Sequence, residues 1–227
     1  INTKTLAAID IGTNAIRLFI SNVEEYPTET LFKKIAFLRV PIRLGEDVFT
    51  TGEIGQQKRK RLCETMQGFS YIMSAFNVES YKAYATCAMR EARNGKSVAE
   101  QIQKECDLNI EIISGTKEAE TIFAGGMNEV VDDDKTYLYV DVGGGSTEVI
   151  VYSKSVKIEA CSFPLGTVRM LNDAGDKEEM KHFKKWLKNI TEKYTPEAII
   201  GSGGDINKIH KLLNKKERER ITYQELD

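Results

Sequence analysis

The sequence predicts an α/β protein made of two related domains, and three observations carry that prediction. Leu6-Ala-Ala-Ile-Asp-Ile-Gly12 and Tyr137-Leu-Tyr-Val-Asp-Val-Gly143 match position for position at an offset of 131 residues, each an apolar strand closing on Asp, an apolar residue and Gly. Each is followed by a short polar or glycine turn and a second apolar run, residues 15–23 in the first copy and 147–152 in the second. Around these units, segments of helical spacing alternate with strand-like runs, the pattern of helices packed on sheets. At 227 residues, 41% hydrophobic and 29% charged, the chain can form one large core or two small ones. The boundary is expected near residue 124, giving domains 1–124 and 125–227, related by internal duplication, with their two turns facing one cleft.

The elements follow in order. Residues 6–12 form a buried strand, Thr13 and Asn14 the bend of a hairpin, and residues 15–23 its return. Residues 31–39 continue as strand, and Pro41, Gly45 and Gly52 mark a loop. Helical spacing over 54–76 puts Leu62, Met66, Phe69, Ile72 and Met73 on one face. Residues 80–86 alternate as a strand, 97–106 read as a helix and 109–114 as another strand. After Ser114-Gly115-Thr116, residues 117–129 read as a helix with Ala119, Ile122 and Phe123 available for packing. The acidic run Asp132-Asp-Asp134 reads as a solvated turn, and a calcium site is not expected there because the EF-hand loop spacing is absent. Residues 177–193 form a basic amphipathic helix around Trp186 and Leu187, and 198–200 a short strand entering Gly201-Ser-Gly-Gly204. Ile206, Ile209, His210 and Leu213 mark a further helix, and residues 215–220 its solvated end, where Glu217 and Glu219 interrupt the basic charge.

Composition removes several functional classes. Lys and Arg number 32 against 34 Asp and Glu, a formal net charge of -2, so no wholesale nucleic acid binding is expected and any anion site is local. The longest apolar runs fall short of the roughly 18–20 residues of a membrane span, and the first residues lack signal-peptide order. A soluble, cytoplasmic protein with no membrane partner is the expectation. The four cysteines, Cys63, Cys87, Cys106 and Cys161, form no CxxC pair and read as reduced structural thiols. With two histidines, His182 and His210, a Ser-His-Asp engine and a His-rich metal site are poorly supplied. The chemistry falls to carboxylates.

Gly143-Gly-Gly-Ser-Thr147 is the sharpest motif. Consecutive glycines let backbone N–H groups surround an anion, and Ser146 and Thr147 add hydroxyls. It is neither a P-loop nor a dinucleotide fingerprint, and phosphate is its natural guest. Asp10 and Asp141 end matching strands beside the two turns, with Glu148 close to the second. Acids at a phosphate site commonly hold Mg²⁺, although an Asp can also hydrogen-bond its own turn. Glu118 and Glu120 open a helix, and either carboxylate could orient a water there; spacing does not choose between them. Arg17, Arg90 and Arg93 are candidate phosphate clamps.

Four segments, Ile9-Asp-Ile-Gly-Thr-Asn14, Ala85-Thr-Cys-Ala-Met-Arg-Glu-Ala-Arg-Asn94, Ile113-Ser-Gly-Thr-Lys-Glu-Ala119 and Val140-Asp-Val-Gly-Gly-Gly-Ser-Thr-Glu148, in this order and spacing resemble the exopolyphosphatase/guanosine pentaphosphate phosphohydrolase (Ppx/GppA) family of the actin-like ATPase superfamily. The resemblance implies a ribonuclease-H-like (actin-like ATPase) fold in each domain, Mg²⁺ dependence, and hydrolysis of a terminal phosphate from inorganic polyphosphate or from pppGpp. By position it makes Glu118 the residue that orients and deprotonates water. Asp10, Asp141 and Glu148 become the metal-binding and water-ordering set, and Thr13, Asn14, Arg90, Gly143, Gly144, Gly145 and Ser146 the phosphate contacts.

The sequence departs from the family at three places. Glu120 stands where many members carry Arg, Cys87 replaces a usual Ser, and Asp205 follows the last glycine loop where Thr or Asn is commoner. Members usually continue past the position of Asp227 with more helix, so either a short form or a truncated chain lacking C-terminal helices is expected, and a homodimer is implied by the resemblance alone. Two rivals use the same residues: an ATP-binding or ATP-hydrolysing protein with an adenosine pocket near residues 201–204, and a non-catalytic polyphosphate or alarmone sensor.

Overall fold

The computed structural model describes residues 2–124, 135–153, 156–171, 177–216 and 219–226. The chain divides into two compact units, one holding the residues up to Ser114 and the other beginning at Gly115.

In the first unit, β1 (Asn2–Ile11) and β2 (Ile16–Glu25) form the expected hairpin and β3 (Thr30–Val40) extends it. Then come α1 (Leu44–Thr51), α2 (Gln56–Ala75), β4 (Ser80–Ala85), α3 (Cys87–Glu91), α4 (Gly95–Cys106) and β5 (Glu111–Ile112). The sheet order is β3-β2-β1-β4-β5, with β4 parallel to β1. Strand alternation sorts β1 into two faces. Ala7, Ile9 and Ile11 are buried with their cross-strand partners Ile20, Leu18 and Ile16, and this face packs against Leu44, Leu62, Met66, Val98 and Ile102 of the helices. Asp10 and Arg17 lie on the other face. The α2 stripe is as read from its spacing, with Leu62, Met66, Phe69 and Met73 buried and Ile72 partly so.

Three local expectations change. Residues 44–51 are helix rather than loop: Gly45 is buried inside α1, and only Gly52, with φ 79°, acts as a terminator at the helix end. α3, five residues long, is too short for a period to show in sequence. Of the strand expected over 109–114, only Glu111–Ile112 pairs.

The second unit runs α5 (Gly115–Ala124), β6 (Thr136–Val142), β7 (Thr147–Ser153), β8 (Val156–Phe163), α6 (Thr167–Leu171), α7 (Lys177–Tyr194), β9 (Ala198–Ser202) and α8 (Gly204–Leu212). Its sheet order is β8-β7-β6-β9, again a three-strand meander with a later strand parallel to the first. α5 covers one face, where Ala119 packs with Tyr137, Tyr139, Ile150 and Tyr152. α7 covers the other, where Phe163 is buried with Leu138, Val149 and Val151 and takes the edges of Phe183 and Trp186 at 5.0 and 5.5 Å. This packing places α5 with the second unit, although the sequence put it before a boundary near 124. β8 and α6 were not anticipated. After α8, Asn214 turns left-handed (φ 54°), and Lys215 and Lys216 are not helical, so the expected helix end is a turn. The acidic run 132–134 and the Phe123 side chain lie outside the described residues. Among the described residues, no helix is long and apolar enough to cross a membrane.

Candidate active site

The two hairpin turns share one construction. Gly12 N–H donates to Ala15 O at 3.2 Å, and Gly143 N–H donates to Ser146 O at 2.9 Å, the same bond 131 residues later. Each turn is braced by the helix that follows the third strand. In the first unit Gly45 N–H reaches Thr13 O at 3.0 Å and Arg43 N–H reaches Asn14 O at 2.9 Å. In the second, Thr167 N–H reaches Gly143 O at 3.1 Å, Val168 N–H reaches Gly144 O at 2.8 Å, and Arg169 Nε reaches Gly145 O at 2.8 Å.

A trans peptide points its N–H opposite to its C=O. Pulling the carbonyls of Gly143, Gly144 and Gly145 toward α6 therefore turns the N–H groups of Gly144, Gly145 and Ser146 the other way. Successive N–H groups on one side form an anion-binding concavity. The close approach depends on Gly166, where a Cβ would lie 2.4 Å from Gly145 N and 2.5 Å from Gly144 C. Thr13 and Ser146 are buried in their turns and Asn14 is exposed. Thr147 spends its hydroxyl on Leu165 O at 2.6 Å.

The acids divide. Asp10 is ion-paired with Arg17, its direct cross-strand partner. At the equivalent position of the second hairpin, Asp141 faces Glu148. Directly opposed residues project to the same face with Cβ atoms roughly 4.5–5.5 Å apart. Glu148 is 1% exposed and accepts from Ser162 Oγ at 2.8 Å. Asp141 accepts from Ser202 Oγ, which itself accepts from Tyr139 Oη at 2.7 Å. Burial pushes the Tyr139 phenol above its ordinary range, with the Asp141 charge acting in the same direction and the Ser202 hydrogen bond opposing it, so Tyr139 is a neutral donor at pH 7. Among the described residues no three His, Cys, Asp or Glu side chains gather to hold a metal. Of the predicted set, Asp141 and Glu148 come together and Asp10 engages Arg17. Two carboxylates suit Mg²⁺, which keeps waters and takes substrate oxygens for its other positions.

Glu118 and Glu120 separate clearly. Glu118 sits half-buried in the first turn of α5, the helix packed on the sheet face that carries Asp141 and Glu148. Glu120 is exposed and paired with Lys157 of β8 at 3.0 Å. Arg90, on α3, donates from Nη1 to Ile113 O at 2.8 Å. Arg93 instead braces the end of α1, donating to Thr51 O at 2.9 Å and lying 3.7 Å from Glu53. A cavity of about 900 Å³ between α2 and α4 holds none of these residues; it is lined by Arg59, Glu105, Cys106 and Cys63 among others, and burial pushes the Cys63 thiol up to about 11.

Sequence reasoning missed the supporting hydroxyls of Ser162, Ser202 and Tyr139, although Ser202 lies in the Gly201–Gly204 segment and Tyr139 in the repeated strand, and it missed the bracing helices. The latter carried a signal: Leu44-Gly45 and Leu165-Gly166 both follow the third strand of their units, at a spacing that differs from 131 because the intervening strands differ in length.

Fold and site define an α/β protein of two units, each presenting a helix-braced hairpin turn suited to phosphate oxygens, with a carboxylate pair at the second. Residues 20–226 match the Ppx/GppA phosphatase family, and the chain belongs to that family. A bifunctional 3-dehydroquinate synthase/phosphatase of Fusobacterium nucleatum is 32% identical over 173 residues, 74% of this chain and 26% of that protein. A guanosine-5'-triphosphate,3'-diphosphate pyrophosphatase of Aeromonas hydrophila is 23% identical across 99% of this chain and 47% of its own length. The crystal structure of an exopolyphosphatase from Cytophaga hutchinsonii superposes with a TM-score of 0.81 at 25% identity, covering 97% of this chain and 73% of that one. The chain thus spans between 26% and 47% of these two curated relatives.

Proposed function

We propose that the protein is a Mg²⁺-dependent phosphoanhydride hydrolase that releases the terminal phosphate of inorganic polyphosphate or of pppGpp. The observation that carries this reading is the Asp141–Glu148 pair beside a turn whose N–H groups are directed to one side by α6. N–H donors suit the phosphate oxygens and the carboxylates suit a cation, the two charge-stabilising parts that phosphoryl transfer requires. Mg²⁺ bound at Asp141 and Glu148 would neutralise charge on the phosphate oxygens.

The protein's own groups do the rest. Gly144, Gly145 and Ser146 hold the transferred phosphoryl group, and Thr13, Asn14 and Arg90 are phosphate contacts of the first unit. The common path of the two sheets supports descent from one duplicated unit. Glu118 accepts a hydrogen bond from the attacking water and takes its proton as the oxygen bonds to the terminal phosphorus. The bridging P–O bond breaks and its electron pair leaves on the shortened phosphate chain.

Polyphosphate and pppGpp present the same terminal anhydride to these groups. The names of the family and of the relatives above support both, and phosphate release assayed in parallel on long-chain polyphosphate, pppGpp and ATP chooses between them. Glu118→Gln keeps size and hydrogen bonding but cannot take a proton, so release is expected to fall by about 10²–10⁴-fold with substrate binding retained. Unchanged release removes Glu118 from the role.

A further inference from the structure

Asp141 is the less buried member of the carboxylate pair, and residues 201–204 close over it. Ser202 lies directly opposite Asp141 in the parallel β6–β9 register and donates to its Oδ1. Ser202 is itself held by Tyr139, two residues before Asp141 on β6 and 9% exposed, so the three side chains form one chain of donors ending on the carboxylate. Gly203 makes the closure possible. With φ 102°, it sits where a Cβ would meet Val142 O at 2.6 Å and Asp141 Oδ1 at 3.1 Å. Ser202 therefore occupies one carboxylate oxygen and fixes the plane of the group, leaving Oδ2 to turn toward a ligand. Glu148 is restrained in the same way from the opposite side by Ser162.

We propose that Ser202, supported by Tyr139, is a positioning residue that presents Asp141 Oδ2 to the divalent cation, and that this is the work of the Gly201–Gly204 segment. The inference rests on the metal reading of Asp141 and Glu148 given above. Groups that orient a metal-binding carboxylate typically contribute 10–100-fold to metal affinity. Ser202→Ala is expected to weaken binding of Mn²⁺, used alone as the probe and followed by electron paramagnetic resonance, by about tenfold or more. In turnover the same change raises the Mg²⁺ concentration needed for half-maximal rate while leaving the rate at saturating Mg²⁺ within a few-fold. Ser202→Thr, which keeps the hydroxyl, restores both, and Tyr139→Phe gives a smaller loss in the same direction.

A purely structural role would lower thermal stability in Ser202→Ala without moving the Mn²⁺ affinity of the folded protein. Equal Mn²⁺ affinity in the wild-type chain and in folded Ser202→Ala overturns the positioning role alone. Failure of the wild-type chain to bind Mn²⁺ overturns the metal reading, and this inference with it.

Discussion

The two hairpins share one turn construction and differ in the residue that faces the aspartate beside it. Asp10 and Asp141 end equivalent strands, both turns close with the same N–H to C=O bond, and both are braced by the helix after the third strand. Across from Asp10 stands Arg17; across from Asp141 stands Glu148. The first hairpin therefore carries a neutralised pair beside its turn and the second a pair of acids. Both turns are braced through their carbonyls by the following helix, and under the proposed function the one cross-strand residue decides whether the turn also attracts a cation. The surroundings differ to match. α5 covers the Asp141 face, whereas on the Asp10 face of the first sheet Ala8 is exposed and Phe19 and Tyr84 are only half-buried.

The hardest test of this division is to erase it. Glu148→Gln keeps the shape and the bond from Ser162 but removes the second charge, making the later hairpin resemble the earlier one in charge. Phosphate release is expected to fall at least 10²-fold and Mn²⁺ binding to weaken in parallel. Wild-type rates in this variant would mean that the Arg17/Glu148 difference does not set the chemistry. A smaller effect is expected from Gly166→Ala, which drives a methyl group into the backbone of residues 144–145. Such overpacking costs about 1–3 kcal/mol, seen as a lower urea midpoint, and release falls because α6 no longer directs the turn. Loss of stability with unchanged release would show that the bracing helix holds the fold alone.

Arg17→Ala probes the first hairpin. Both partners of the Asp10–Arg17 pair are about half exposed, with side-chain exposures of 45% and 40%, so its loss is expected to change stability by less than about 1 kcal/mol. Substrate affinity, read as KM, should weaken several-fold, because a guanidinium beside an anion turn is removed. An unchanged KM confines Arg17 to balancing Asp10.

Much of this was legible in the sequence because it repeats. The aligned Asp-x-Gly strand ends located both turns, and alternation set Asp10 and Asp141 at their edges. The helical stripe of α2 was legible because its buried residues, Leu62, Cys63, Met66, Phe69 and Met73, keep to one face of the helix. What sequence could not show was pairing. Nothing local to Ser202 says that it will lie beside Asp141, since β9 joins β6 some 60 residues away in the chain. Nor does composition separate Arg17 from Arg93, one bound to an acid beside the turn and the other to the end of α1. Short helices such as α3 and α6, each of five residues, have too few turns to print a period.

The mildest change separates the two acids of α5. Glu118 and Glu120 are two residues apart and so point about 200° apart around the helix. Glu120 pairs with Lys157 on β8 through side chains 47% and 30% exposed, a surface contact worth no more than about 1 kcal/mol. Glu120→Gln should therefore leave phosphate release within twofold of wild type and lower stability only slightly, whereas Glu118→Gln removes turnover. The contrast is informative because both variants delete one negative charge from the same helix. A general electrostatic effect on a polyanionic substrate would raise activity in both, and a proton-accepting role would be lost in only one. If Glu120→Gln fails and Glu118→Gln does not, the water-activating carboxylate lies on the β8 side of α5, and Lys157, its partner there, becomes part of the reacting site.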